Sequence, residues 1–181
     1  MPVLSIFKQL SRAAAAATIL MLLHASASAV TIVVPPSLQT AATQKLVFEA
    51  WADGVQIYTC NPGTSEGAAP AWVFKAPEAT LSDTNSAKTA RHYAGPTWEA
   101  ADGSRVVGKV KASATPTTSA IPWLLLDVKS TEGNGMFSKI TAVQRLATDA
   151  GKAPDDGCSA STLGVEVRVP YKAVYRFYTG Q

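Results

Sequence analysis

Val47-Phe48-Glu49-Ala50-Trp51-Ala52-Asp53-Gly54-Val55-Gln56-Ile57-Tyr58-Thr59-Cys60 carries the clearest structural pattern in the chain. Asp-Gly between two strand-like runs is a strong short-range hairpin signal, because the favoured two-residue turn needs positive φ at both central positions. The pattern predicts a turn at Asp53-Gly54, with Ala52 opposite Val55, Trp51 opposite Gln56 and Glu49 opposite Tyr58. Alternation then places Phe48, Ala50, Ala52, Val55 and Ile57 on one apolar face. Glu49, Trp51, Gln56 and Tyr58 fall on the other, a mixed aromatic and polar face that either holds a ligand or is covered by the second side of the fold. The covered reading makes Trp51 a core residue.

Outward from this segment, short apolar and β-branched runs are broken at close intervals by Gly, Pro, Asn and Asp. Asp102-Gly103 predicts a second hairpin, joining Thr97-Trp98-Glu99 to a strand from Arg105 to Lys111 with Trp98 opposite Val107. Further strands are expected at residues 71–75, 123–129, 140–146, 165–169 and 172–178, with Val165, Val167 and Val169 facing inward. Residues 138–147 could alternatively form a short helix. Residues 112–120 read as a flexible connector. About eight short strands and no convincing long helix predict an all-β, mostly antiparallel single domain, either a β-sandwich or a small β-barrel. Trp72 and Trp123 are expected in its core.

The chain has 181 residues, 47% of them apolar and 16% charged, a composition that excludes intrinsic disorder and provides for one ordinary core. Lys8 and Arg12 precede an apolar run from Ala13 to Leu23, and Ala27-Ser28-Ala29 follows as a small-residue cleavage site. This layout predicts a secretory signal peptide over 1–29, cleaved before Val30. The apolar run is too short to span a bilayer, which takes about 20 residues, so no membrane span is expected in the mature chain. Residues 30–44, with Pro35-Pro36, read as an extended lead-in, and 45–181 as the β domain. Secretion or a periplasmic destination follows from the signal.

Loss of Lys8 and Arg12 removes two units from the net charge of +3. The mature chain then has no basic cluster to neutralise several phosphates, so nucleic acid is not an expected partner. Cys60 and Cys158 are the two cysteines. In an oxidising compartment they predict one long-range disulfide, which would constrain the unfolded chain by roughly 4 to 5 kcal/mol on the loop-entropy view. Two buried thiols are the alternative. Two Cys and the one mature His do not compose a zinc site.

The strings Val55-Gln56-Ile57-Tyr58, Phe74-Lys75-Ala76-Pro77-Glu78-Ala79-Thr80-Leu81, His92-Tyr93-Ala94-Gly95-Pro96-Thr97-Trp98-Glu99 and Asp102-Gly103-Ser104-Arg105-Val106-Val107-Gly108 occur in this order. They continue with Ala120-Ile121-Pro122-Trp123-Leu124-Leu125-Leu126, Gln144-Arg145-Leu146 and Arg168-Val169-Pro170-Tyr171. Together they resemble an uncharacterised family, domain of unknown function 3455, found in secreted proteins of bacteria and fungi. The resemblance runs from about residue 45 to 178. It implies membership but carries no catalytic residues. Some fungal relatives bear a malate dehydrogenase label, yet the chain lacks a Gly-rich strand-to-helix turn for a dinucleotide. Gly133-Asn134-Gly135 reads as a turn, and no cofactor is implied.

His92, close in sequence to Glu99 and Asp102, is the candidate general base. Capping a loop or packing beside Tyr93 is its structural alternative. Glu78 with Glu99, or Glu49 with Asp53, are the carboxylate pairs that could serve glycoside hydrolysis if separated by about 5 to 10 Å. No Gly-x-Ser-x-Gly occurs, and the mature chain has no Ser-x-x-Lys. The expected function is therefore a secreted, non-catalytic binding or surface domain for a small molecule, glycan or surface partner. A small secreted hydrolase using His92 with Glu99 or Asp102 is the alternative.

Overall fold

The computed structural model describes residues 31–85 and 87–180. The expected signal, residues 1–29, lies outside the described residues. Eight antiparallel strands run in chain order: β1 (Lys45–Asn61), β2 (Ala71–Ser82), β3 (Lys88–Tyr93), β4 (Thr97–Ala100), β5 (Arg105–Ala114), β6 (Trp123–Glu132), β7 (Ile140–Ala150) and β8 (Glu166–Thr179). Each pairs with the next and β8 pairs back to β1, so the sheet closes into a barrel. Closure gives every strand a neighbour on each side around the ring.

The expected hairpin at Asp53-Gly54 does not form. Both residues lie inside the 17-residue β1. Asp53 pairs with Thr80 on one side and Lys172 on the other, and Gly54 with Ala79 and Tyr171. A side chain at Gly54 would collide with the Glu78 carbonyl and the Ala79 backbone. The glycine thus serves close strand approach, which an Asp-Gly dipeptide does not distinguish from a turn.

Removing the two-residue turn changes the parity of everything after it. Ala50, Ala52, Gln56 and Tyr58 are buried, whereas Trp51 is 44% exposed on the outer wall. Glu49, also outside, bonds the Arg176 guanidinium at 2.6 Å. The mixed face predicted from the hairpin is therefore split, with Glu49 and Trp51 outside and Gln56 and Tyr58 inside.

Asp102-Gly103 does turn the chain, but in a three-residue loop. Ala100 and Ser104 close it, Gly103 takes φ +82°, and Trp98 faces Val106 instead of Val107. The possible helix at 138–147 is β7, whose register with β6 and β8 continues through it. The expected strands at 165–169 and 172–178 are one strand, with Pro170 inside it. Pro170 lies just beyond Ala150–Tyr171, the last pair with β7, and Pro77 lies beyond Ala79–His92, the pair that begins contact with β3. Each proline therefore has one side without a strand partner that needs its missing N–H. Val165 is exposed. Trp72 and Trp123 are half-buried rather than core: the Trp72 indole donates to the Asp156 carbonyl at 2.7 Å.

One end of the barrel is filled. Phe137, from the β6–β7 loop, stacks on Phe177 with ring centroids 4.7 Å apart, and Phe48 packs against both. Asp102 fastens this end by accepting bonds from Ser104 N at 2.8 Å, Ser104 Oγ at 2.6 Å and Met136 N at 2.7 Å. These donors, the Ser104 hydroxyl first, hold its carboxyl below the usual range.

Outside the barrel, Ile32, Val34 and Leu38 cover Leu125 and Leu146 in a second apolar cluster. Pro36–Leu38 form a single 3-10 turn. Elsewhere the outer wall carries ion pairs such as Arg168–Glu78, Lys172–Asp53 and Lys111–Asp127. No helix among the described residues is long and apolar enough to cross a membrane.

Candidate functional site

At the end opposite Phe137, β1, β2 and β8 run past their neighbours and form a tall wall. Cys60 at the end of that wall is disulfide-bonded to Cys158, with Cα atoms 5.3 Å apart. The bond ties the wall to the loop that precedes β8. The β3–β4 turn and the β5–β6 connector approach from the other side, bringing Gly95, Pro96, Ile121 and Pro122 to the mouth. Within lies a cavity of about 340 Å³. Eight-stranded barrels have room for one small ligand when their own side chains do not fill them.

Three inward-facing strand positions build its polar floor. His92 on β3 pairs with Trp98 on β4, and their rings stack with centroids 4.4 Å apart. Tyr175 on β8 meets both edge-on, at 5.1 and 5.4 Å. Gly108 keeps this arrangement possible, since a Cβ there would lie 3.1 Å from the Trp98 ring and 3.0 Å from Leu126.

His92 Nδ1 is 2.8 Å from the Thr97 carbonyl. A carbonyl only accepts, so the nitrogen carries the proton and Nε2 is left as an acceptor. Burial pushes the His92 pKa down to about 3, against a smaller upward effect of the Thr97 carbonyl. The imidazole is neutral at physiological pH. Burial also raises the phenol pKa values of Tyr58, Tyr171 and Tyr175, so these hydroxyls keep their protons.

Gln56 and Trp98 line the cavity and are only 2% and 1% exposed. Gln56 Nε2 and Trp98 Nε1 are buried without a hydrogen-bond partner. Buried donors are ordinarily paired. Tyr58 differs in this respect, as its hydroxyl donates to Gly151 O at 2.7 Å. At the mouth, Arg145 Nε and Nη2 donate to Pro122 O at 3.1 and 2.9 Å.

The carboxylates proposed to work with His92 are not beside it. Glu99 is one residue from inward-facing Trp98 and therefore points outward. There it accepts from the Tyr93 hydroxyl at 2.7 Å and Arg91 at 3.0 Å. The Tyr93 bond, then Arg91 and Arg105, hold its carboxyl below the usual range. Asp102 is at the filled end. Glu78, Glu49 and Asp53 are each engaged with an outer-wall cation, Arg168, Arg176 and Lys172. Among the described residues, no group of three His, Cys, Asp or Glu is placed to hold a metal.

Of the four sequence-derived ligand candidates, the cavity takes Gln56 and Tyr58 and leaves out Glu49 and Trp51. It adds Trp98, Arg145 and Tyr175. An uninterrupted β1 would have put Gln56 and Tyr58 in step with Ala50 and Ala52. Nothing local marks Arg145, because a charged residue on an alternating strand reads as outward.

The family described as Protein of unknown function (DUF3455) matches residues 41–179. The chain belongs to the DUF3455 family. The matched span contains every strand, both cysteines and all the residues that line the cavity, so barrel and pocket lie within the DUF3455 region. None of the curated proteins matches the chain, and none of the solved structures does.

Proposed function

We propose that this protein is an exported, non-catalytic binding domain that takes a small, mainly apolar molecule into the open end of its barrel. The carrying observation is the 340 Å³ cavity between apolar walls, with Tyr58 and Arg145 among its few polar lining residues. Such a combination suits orientation of a ligand more than bond cleavage. A general base needs a pKa near the operating pH and a proton to abstract within reach. The neutral, stacked His92, with Glu99 on the other face of the sheet, supports binding over hydrolysis.

Export rests on Lys8, Arg12, the Ala13–Leu23 run and Ala27-Ser28-Ala29, and the disulfide suits an oxidising compartment. Intact mass of the protein recovered outside the cytoplasm is expected to start at Val30. A retained Met1 or a lipid adduct would overturn soluble export.

Binding is tested with the neutral dye N-phenyl-1-naphthylamine. One equivalent should bind with enhanced fluorescence, and Leu126→Trp, which fills the cavity, should abolish this while the circular dichroism stays native. Absence of binding, or binding indifferent to the filled cavity, would refute the pocket. Turnover in a hydrolase screen that disappears in a folded His92→Ala variant would replace binding with catalysis.

A further inference from the structure

We propose that the cavity's ligand is an apolar-bodied carboxylic acid bound as its anion, with Arg145 receiving the carboxylate at the mouth. This rests on the pocket being a binding site, as proposed above, and adds the charge and shape of its occupant.

The charged side chains lining the cavity are both cationic, Lys75 and Arg145, and neither Asp nor Glu lines it. Lys75 already has a carboxylate partner in Glu166. Arg145 is half-buried, and among the described residues it forms no ion pair; two of its N–H groups are spent on the Pro122 carbonyl and another is directed at the Tyr175 hydroxyl, which leaves part of the fork for a ligand. A guanidinium has five N–H donors in a fixed planar fork. The donors left over match the two oxygens of a carboxylate. Withdrawing a cation partly from water without a counter-charge is unfavourable, and an anionic ligand would remove that penalty.

The electrostatics around Arg145 fit the same occupant. Its charge acts on His92, Tyr58, Tyr171 and Tyr175, all of which are neutral. No carboxylate in the cavity competes for it. The pre-existing clamp on Pro122 also fixes the guanidinium's orientation, which lowers the ordering cost on binding.

The rest of the ligand must be apolar. Leu124, Leu126, Ile121 and Pro77 form the walls, and Phe74 and Val110 line the cavity while remaining about half exposed. A second carboxylate reaching inward would meet these groups, so a dicarboxylate is disfavoured.

The test is calorimetric titration with 2-naphthylacetate, its primary amide and 2-naphthylethylamine, repeated with decanoate and decanamide. The acids are expected to bind at least tenfold more tightly than the amides, the scale of one charge-assisted hydrogen bond. The amine should bind most weakly. Arg145→Gln should bring acid affinity down to that of the amide and move the amide by no more than about threefold. The wild-type comparison needs no variant to fold. Equal binding of acid and amide, or preference for the amine, overturns the carboxylate while leaving the pocket standing. Failure of every probe overturns both.

Discussion

His92 lies flat against Trp98, the two ring planes only 8° apart, with its Nδ1–H held by Thr97 O. A stacked, buried imidazole has lost its water on both faces, so protonation in the folded state is opposed. In the unfolded chain the same group titrates near 6.5.

Acid sensitivity follows directly. Between pH 6.5 and the folded value of about 3, the unfolded chain binds a proton that the folded chain does not, so stability falls as pH drops through this window. The loss is on the order of a few kcal/mol. Denaturant unfolding between pH 7 and 4 should show it, and His92→Phe should flatten this part of the profile. An unchanged slope in His92→Phe would mean that another group carries the acid limb.

Two tryptophans separate the inside of the barrel from the outside. Trp98→Ala should cost about 3 to 5 kcal/mol, as expected for a buried indole. Trp51→Ala should cost less than about 1 kcal/mol, the scale of surface changes, because its ring is on the outer wall. Similar losses at the two sites would contradict the parity assigned to β1.

The sequence made the strand-rich class, the approximate strand number and the disulfide readable because each depends on local pattern or compartment. Where β1 went wrong, the reason was physical: Asp53-Gly54 has turn chemistry, but β2 and β8 both pair across it. Long-range pairing overrode a local preference. The same applies to Pro77 and Pro170, which look like strand ends until the unpaired stretch beside each is known. Of the site, His92, Gln56 and Tyr58 were legible as chemically interesting residues. Their separation from Glu49, Trp51, Glu99 and Asp102 was not, because one residue of parity decides which side of a barrel wall a group occupies.

The lead-in is part of the stabilising structure. Leu38 is fully buried, and its carbonyl accepts Gln144 Nε2 at 2.6 Å. Gln144 Oε1 in turn accepts the Tyr178 hydroxyl at 2.7 Å. Leu38→Ala should cost about 2 to 5 kcal/mol. Gln144→Leu leaves a buried carbonyl and a hydroxyl without partners, at about 1 to 3 kcal/mol for each. Thermal unfolding that leaves both variants at wild-type stability would show that residues 32–38 do not hold the wall.

Removing the disulfide should cost about 2 to 5 kcal/mol. The Cys60→Ser, Cys158→Ser double variant should also bind N-phenyl-1-naphthylamine more weakly, because Gln56 and Tyr58 stand on the strand that the bond secures. Stability loss with unaltered dye affinity would separate the bond from the shape of the pocket.

The two Asp-Gly pairs make opposite demands on their glycines. Gly103 has φ +82° with nothing near its missing side chain, whereas Gly54 lacks the positive φ but faces the β2 backbone. Asn tolerates the left-handed region, so Gly103→Asn should be close to neutral, while Gly103→Ala should cost about 1 kcal/mol. At Gly54 the order changes in kind. Ala and Asn both carry the Cβ that meets Glu78 O and Ala79, and each should cost the upper end of the roughly 1 to 3 kcal/mol of overpacking, or more. Denaturant unfolding of the four variants decides between strand and turn at residue 54. A Gly54→Asn variant as stable as Gly103→Asn would restore the hairpin, move Gln56 and Tyr58 back to the face of Trp51, and remove them from the cavity.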